Sequence, residues 1–359
     1  MASSLDESQL NFADFITQFI NPDTAPTQAA RYLPEIGPLI DLEGASDADV
    51  WAKFVSLPSE EQKQIALDVF YFVLRDAGRD HNDPESPGFN NFDESNVAIA
   101  ALFPGSEWNG DLSLTSREIK TNNGGDIDLF APGGAVTVGF DAGQNQAVDQ
   151  GILTEHGGNI YIYAQDSVTL GTSRIFTLRG GDEIIYSALG DIAAGVSSKT
   201  VLAAPPTRVL IDPQSADVQT DLAGLATGGG IGVLESVVGV PPGDVDLVAP
   251  TGTVDAGDAG IRVSGNLNIS AVLVLNATNI QVAGTSTGTP VVAAPNLGSL
   301  TAASNSVGAT TNAAAEATQQ ARAESSQSDL PSIVTVEVLG YGGGDDSGSD
   351  DESQRRKKI

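Results

Sequence analysis

Three segments of this chain share the pattern Ile-x-Thr-x-x-Gly-Gly-Asp/Asn without a gap: "IKTNNGGD" (119–126), "ILTEHGGN" (152–159) and "IFTLRGGD" (175–182). The similarity continues past the shared pattern. "GGDIDLFAPGGAVTVG", "GGDEIIYSALGDIAAG" and "PGDVDLVAPTGTVDAG" match residue for residue, and their outer glycines are 14 apart, from Gly125 to Gly139, Gly181 to Gly195 and Gly243 to Gly257. "GGNIYIYAQDSVTLG" fits with one residue deleted. Self-similarity at such a spacing is the mark of units that bury their apolar faces by stacking on one another.

The period fixes what the unit can be. Ile119 to Gly139 holds about three short strands separated by corners, and Gly158 to Gly181 are 23 residues apart, one unit and a minimal connector. Short strands, sharp corners and this period describe one circuit of a parallel β-helix. Glycine and asparagine suit the corners because positive φ is cheap for them, and Asp or Asn can bond the backbone just beyond it. The Gly-Asp pairs at 181–182 and 190–191 then read as two corners of one circuit. Within each strand the alternation points Ile127 and Leu129, Ile160 and Ile162, and Val245 and Leu247 inward, with their neighbours outward. The reading requires Ile127, Ile160 and Ile185 to lie in neighbouring layers of one column.

Boundaries fall where this pattern starts and stops. Residues 1–104 read as an α-helical module, 105–290 as the parallel β-helix, 291–331 as a low-complexity Ala/Ser/Thr/Gln linker with transient helix at 312–323, 332–341 ("SIVTVEVLGY") as a final strand and 342–359 as a disordered acidic then basic tail. Inside the repeats, "FDAGQNQAVDQ" is surplus between Gly125 and Gly158 and reads as a loop leaving a corner. The repeat is lost between Gly195 and Gly243, a stretch that reads either as degenerate circuits or as a loop on the solenoid. At ~22 residues per circuit, the region has room for about eight.

Helical signals fill the first hundred residues. Asn11 to Ile20 carries Phe12, Phe15, Ile16 and Phe19 and ends at Asn21-Pro22; a second helix starts at the cap Ser46 and buries Val50, Phe54 and Leu57. A third starts at Ser59, with Gln62 completing a capping box, repeats Ile65, Ala66, Val69, Val73 and Ala77 on one face, and stops at Gly78. "HNDPESPGFNNFD" reads as a connector to the short run "VAIAALFPG". These stripes are packing surfaces, not a cofactor pocket.

Charge and composition narrow the partners. Lys plus Arg number 17 against 47 Asp plus Glu, a formal net charge of −30, and that field opposes nucleic acid and anionic membranes alike. Cysteine is absent, which removes disulfides and thiolate metal sites. "MASSLDESQLNFADFITQFI" lacks the basic start, apolar run and cleavage site of a signal peptide, so work outside the cell calls for an export signal upstream. No run has the length of a membrane-spanning helix.

Several residues invite chemistry and each has a plainer account. Glu183 occupies the slot held by Ile127, Ile160 and Val245; inward it is a desolvated acid of raised pKa, but a local bulge turning it outward and Ile184 inward is the favoured expectation. Asp126, Asn159 and Asp182 share one corner of successive units. Like atoms two layers apart are ~9.6 Å from one another, too wide for a retaining glycosidase pair and marginal for an inverting one, whereas a turn-forming ladder accounts for the same residues. Asp244, Asp246, Asp255 and Asp258 are candidate calcium ligands, yet no calcium-roll nonapeptide or EF-hand loop is present, and solvated turn carboxylates suffice. His81 and His156 have no zinc-site partner nearby in sequence, and the glycine-rich segments lack a terminal Gly-Lys-Ser/Thr. No catalytic, cofactor-binding or metal residue is assigned.

"AIAALFPG", "GGDIDLFAPGG", "TSRIFTLRGGDEIIYSALGDIAAG", "APTGTVDAGDAGIRVSGNL" and "ATNIQVAGTSTGTP" together resemble the C-terminal region of filamentous haemagglutinin-family exoproteins, over most of residues 60–340 and in the order of the motifs. The resemblance implies a right-handed parallel β-helix preceded by a small α-helical module. It also implies export by two-partner secretion through an outer-membrane transporter, a secreted or cell-surface location, and adhesion to host or neighbouring-cell receptors or glycans, with a role in virulence. It brings no catalytic residue and no cofactor. The family's N-terminal export domain has no counterpart in this sequence, and the family favours an apolar residue where Glu183 stands. A polysaccharide-acting β-helix enzyme, its site beside the 196–230 excursion, is the competing expectation; clustered carboxylates with a Lys or Arg in a groove would mark it.

Overall fold

The computed structural model describes residues 9–105, 108–115, 117–140, 151–195, 201–202, 208–211, 218–221, 226–234 and 240–290, with backbone alone for the four stretches between 201 and 227. Residues 1–292 form one compact unit and 293–359 a second, which lies wholly outside the described residues. The loop at 141–150, the linker, the final strand and the tail expected from the sequence therefore lie outside them too.

The described residues are mainly parallel β, with a small helical part at the N-terminal end. Three ladders carry the strands. The first holds β1 (Leu112–Leu114), β4 (Val136–Val138), β7 (Val168–Leu170) and β10 (Ile192–Ala193). The second holds β2 (Ile119–Thr121), β5 (Gly151–Thr154), β8 (Arg174–Thr177), β15 (Gly230–Val233), β17 (Ile261–Val263) and β19 (Ile280–Val282). The third holds β3 (Ile127–Ala131), β6 (Ile160–Ala164), β9 (Glu183–Ser187) and β20 (Ser286–Thr287). The long strands β16 (Val245–Asp255) and β18 (Leu267–Leu275) turn a corner and serve two ladders: their first halves extend the third and their last residues extend the first. The described residues visit the ladders in fixed order, six layers deep in the second.

Registers are the ones the sequence pattern demands, with one exception. Ile119, Ile152, Ile175, Ile231, Ile261 and Ile280 are successive partners in the second ladder. In the third, Ile127 pairs with Ile160 and Leu129 with Ile162. Ile160 then pairs with Glu183, and Ile162 with Ile185. The column expected to run Ile127, Ile160, Ile185 instead runs Ile127, Ile160, Glu183, Val245, and Ile185 belongs to the neighbouring column. The reason is that the bulge expected at Glu183 does not form: β9 pairs without a register shift on both sides.

Between Gly195 and Gly230 the chain leaves the ladders. β11 (Val201–Leu202) pairs antiparallel with β14 (Ala226–Thr227), and β12 (Arg208–Ile211) with β13 (Val218–Asp221). Of the two readings of this stretch, the described residues form no parallel layer; they pair antiparallel with one another in an excursion from the ladders.

Among the described residues five α-helices precede the strands: α1 (Phe12–Phe19), α2 (Pro26–Leu39), α3 (Asp47–Ser56), α4 (Ser59–Asn82) and α5 (Asp93–Leu102). The side chain of Asn11 caps α1, accepting from Asp14 N–H (3.1 Å), and Ser46 caps α3. Two expectations need correcting. Ser59 is the first helical residue of α4, behind Pro58, and Gln62 instead donates to the carbonyls that end α3, including Leu57 (2.8 Å). Gly78 does not stop α4, which continues to Asn82; any Cβ there would press into Val248 of β16, so this glycine serves close approach of helix to sheet.

Two apolar cores result. One lies between the ladders and is aliphatic: Ile127, Ile152, Ile160, Ile162, Val168, Ile175, Ile185, Val245, Leu247, Ile261 and their neighbours. The other joins the helices to the outer face of the third ladder: Tyr161, Tyr163, Ile184, Tyr186 and Val248 share one cluster with the helical core, and Phe70, Tyr71, Phe72 and Phe103 touch the tyrosines directly. The residues alternating with the inward set do point outward, but on this ladder they face helices instead of water.

Candidate functional site: the side-chain ladder and the helix-covered face

One corner of the structure repeats the same bond layer after layer. Asn159 N–H donates to Asp126 Oδ1 (2.6 Å), Asp182 N–H to Asn159 Oδ1 (2.8 Å), Asp244 N–H to Asp182 Oδ1 (2.8 Å), Asn266 N–H to Asp244 Oδ1 (2.7 Å) and Thr285 N–H to Asn266 Oδ1 (3.0 Å). The carbonyl of each of these residues from Asn159 onward accepts from the strand amide of the layer before: Ile127 to Asn159, Ile160 to Asp182, Glu183 to Asp244, Val245 to Asn266 and Leu267 to Thr285, all at 2.9 Å. Side chain and backbone therefore clamp every pair of layers reciprocally. Bonds from a backbone amide to a carboxylate are charge-assisted and among the stronger ones available. Glycines stand immediately before Asn159, Asp182 and Asp244, and a Cβ on Gly158, Gly181 or Gly243 would collide with the carbonyl of the glycine one layer earlier. A second corner is built alike, with Asp111 Oδ1 accepting from Ala135 N–H (2.9 Å) and Asp191 Oδ1 from Thr253 N–H (2.7 Å).

This geometry assigns the outward carboxylates. Asp126 and Asp182 flank Asn159 and bond to successive layers, a turn-forming ladder, and neither converges with the other on a point. Of the calcium candidates, Asp244 accepts from Asn266, Asp246 is held by Arg79, and Asp255 Oδ1 accepts from Gly257 N–H (2.8 Å) and Asn276 Nδ2 (2.7 Å) at the far end of β16. Among the described residues, no group of three His, Asp or Glu is disposed to hold a metal ion. His81 stacks on Phe92 at 4.1 Å, while His156 sits in the turn after β5.

The helix-covered face carries the remaining polar chemistry. Along α4, Tyr71 Oη donates to the carbonyl of Leu129 (2.8 Å), Ser270 Oγ to that of Gly78 (2.5 Å), and Asn82 Nδ2 reaches Asn268, Ile269 and Ser270. Arg79 donates to both carboxylate oxygens of Asp246, from Nε to Oδ1 at 2.9 Å and from Nη2 to Oδ2 at 2.7 Å. Asp246 is almost wholly buried; burial pushes its pKa up and the Arg79 bonds oppose that. Ser95 and Tyr186 join hydroxyls at 2.8 Å across the same interface. Nearer the start of α4, Asp68 is set among carboxylates instead of cations. Burial raises its pKa to about 7, helped by the charges of Asp128 and Asp126, and burial with Asp126 raises Asp128 to about 6.

Among the described residues Glu183 is the one acid inside the ladders, fully buried between Ile160 and Val245 with neither carboxylate oxygen in a well-formed hydrogen bond. Burial holds its pKa well above the ordinary glutamate range, and the backbone at Thr177 relieves it only in part. The sequence carried the signal for this, since "GGDEIIYS" aligns with "GGDIDLFA" without a gap. The helical cover also had a signal: "IYIYA" and "EIIYS" are largely apolar on both faces, as strands buried on both sides are.

Fold and ladders together define a layered parallel-β protein with a helical cover, its exposed corners built for stacking. Residues 180–291 match the model of a family described as filamentous haemagglutinin family outer membrane protein. That span runs from the turn before β9 to just past β20, taking in the arm but not the helices. No curated protein and no solved structure matches the chain. Among the described residues, no helix is long and apolar enough to cross a membrane.

Proposed function

We propose that this chain is a structural and adhesive segment of a secreted surface filament of the filamentous haemagglutinin type, its three ladders being the faces of a right-handed parallel β-helix. The reciprocal Asp/Asn ladder carries the reading. It commits the corner carboxylates Asp126, Asp182 and Asp244 to holding layer to layer, which is what a shaft needs and a hydrolase does not. The match over residues 180–291 supports the same reading. Contacts are made by what leaves the corners, with receptors or glycans on a neighbouring cell as partners, and export runs through an outer-membrane partner transporter. The segment is not an enzyme in this reading.

The test is display and adhesion. Beads coated with the chain are expected to adhere to epithelial or bacterial cells above albumin-coated controls, and a longer protein carrying this segment is expected to reach the surface only when a partner transporter is co-expressed. Beads that adhere no better than the controls would sink the adhesive part. Release of new reducing ends or unsaturated uronic products from a polysaccharide panel would replace it with the enzyme reading.

A further inference from the structure

We propose that the last strand of the first ladder, at Leu273 to Leu275, is a docking edge for a second copy of this chain, the two copies pairing antiparallel about a two-fold axis. The inference goes beyond the surface-adhesive reading and does not need it. Outward residues along the first ladder are Ser113, Thr137, Thr169, Ala193 and Asp255, each the register partner of the next. In the final layer the partner of Asp255 is Leu275, and that of Thr253 is Leu273. The outer face, small or polar until then, turns apolar where the ladder ends: Val272, Leu273 and Leu275 are 72%, 51% and 42% exposed. Among the described residues no strand pairs with the free side of Leu273 to Leu275. Behind them the inner aliphatic core ends on Val274, Ile280 and Val282, which are only half-buried.

Charge and backbone select the occupant. An open sheet edge is commonly guarded by charged side chains. This one is not: residues 263–290, 28 in a row, include no Asp, Glu, Lys, Arg or His, in a chain of which 18% is charged. Two copies of a chain of net charge −30 repel, and the final layer adds nothing to that repulsion. The first layer, at the opposite end, contains Glu118, Lys120, Asp126 and Asp128. The uncharged end therefore matches itself and not its opposite, and a contact that matches itself is two-fold and closes at the dimer. The backbone sets the register. Leu275 C=O accepts from Ala256 N–H (3.1 Å), back into the ladder. Backbone groups alternate in direction along a strand, so Val274 N–H and C=O face the free edge. Antiparallel pairing centred there joins Val274 to Val274 of the second copy by two N–H···O bonds. Leu273 then stands opposite Leu275 of the second copy, at the non-hydrogen-bonded positions where side chains come closest. Leu-Val-Leu reads the same in both directions, as a two-fold edge requires.

The experiment uses the full chain, in sedimentation velocity across a wide range of concentration. A species of twice the 36.8 kDa chain mass is expected to grow in with concentration, and nothing larger. Leu273→Lys together with Leu275→Lys is expected to abolish it with the urea midpoint unchanged, because both side chains point outward. Leu189→Lys, as exposed (61%) but on a corner of an inner layer, is expected to leave it intact. The chain has no cysteine, so Leu273→Cys and Leu275→Cys can be mixed and oxidised. The mixture is expected to cross-link severalfold faster than either variant alone, since like positions lie ~8 Å apart, beyond the reach of a disulfide. That readout stands if the lysine variants fail to fold. A chain that stays monomeric at every concentration overturns the proposal. So do association that survives the paired lysines, open-ended assemblies, and cysteine variants that each cross-link with themselves as fast as the mixture. A monomer whose Val274 amide is protected from hydrogen exchange gives the edge to another stretch of the same chain, and overturns it too. Bead adhesion is read separately: monomers that adhere remove the dimer and leave the surface reading, and dimers that do not adhere do the reverse.

Discussion

A glutamate enclosed by aliphatic side chains on every layer has to be neutral in the folded state, and for Glu183 that has a measurable sign. Its folded pKa lies above the ordinary value of ~4.3, so the folded protein keeps a proton that the unfolded chain releases. Stability linked to it is full below about pH 4 and is lost progressively as pH rises toward the raised value. Glu183→Leu removes both the linkage and the unpaired oxygens, and extends the aliphatic column of Ile160 and Val245. We expect it to stabilise the protein at pH 8 by about 1–3 kcal/mol, the cost of a buried unsatisfied polar group, and by less at pH 4, read from urea unfolding at both values. Unchanged stability at pH 8 would place the side chain in water. Asp68 behaves in the same direction over a bounded window. Its pKa is pushed up to about 7 by burial and by the charges of Asp128 and Asp126, so the interface of α4 with β3 loses stability between about pH 4 and 7 as the unfolded chain ionises first. Asp68→Asn is expected to flatten that part of the pH–stability profile; a profile as steep as that of the parent would show that the carboxylate is not enclosed. Glu183 itself was legible in the internal repeat, slot for slot. The expectation of a bulge rests on how rarely functional acids face a solenoid core, and the unshifted register of β9 with β6 and β16 on either side overrides it.

At the scale of elements, the two devices that join one piece of chain to the next can be separated by substitution. In the corner ladder, Asp182→Asn keeps an Oδ1 acceptor for Asp244 N–H and removes a carboxylate that burial already disfavours, whereas Asp182→Ala leaves that amide without its partner. The alanine variant is expected to lose about 0.5–1.5 kcal/mol and the asparagine variant nothing; equal losses in the two would mean that charge, and not the acceptor, holds the corner. At the helix interface, Arg79→Ala leaves Asp246 buried without its guanidinium. We expect a loss of about 1–3 kcal/mol, below the usual figure for a buried pair because Arg79 is itself 42% exposed and water can enter in its place. Asp246→Val should recover most of that loss in the Arg79→Ala background, and failure to do so would mean that Arg79 acts mainly by packing. Legibility divides along the same line. Strand order, inward faces and corner residues were readable because each repeats in the sequence and each repeat has one physical use. The helix α2 was not, because Pro34 and Pro38 stand inside it and a proline ordinarily ends a helix. Gly78 misled for a related reason: as a terminator glycine needs only a local cause, and its actual use, room for Val248, comes from a strand far along the chain. The stretch between Val201 and Thr227 carries no periodic pattern and left two readings open, and the antiparallel pairing of its described residues was not legible in either.

The whole molecule depends on a division of labour that composition alone conceals. The ladders bury an aliphatic core and could in principle stand as a bare stack, as layered folds do when each layer leans on its neighbours. The third ladder breaks that independence, because its outer face is apolar over much of its area: Tyr161, Tyr163, Ile184, Tyr186 and Val248 are each no more than 4% exposed, and what covers them is the helical region. A separate module at 1–104 would be removable without consequence, whereas a cover would not. Apolar patches larger than a few hundred Å² are uncommon on soluble monomers and drive association. We therefore expect a chain lacking residues 1–104 to keep its β signal in far-UV circular dichroism but to bind a hydrophobic dye strongly and to elute as aggregates. Replacing Tyr161, Ile184 and Val248 by Thr, Lys and Thr in the shortened chain should restore a monodisperse species, since only the outer face is altered and the inward column of Ile160, Ile162 and Ile185 is untouched. If the shortened chain is monodisperse and silent toward the dye without those changes, the helices are a passenger on the stack. If neither form retains β structure, the stack needs the helices to fold at all, and the polar bridges from Arg79, Asn82 and Tyr71 become as essential as the ladder they rest on.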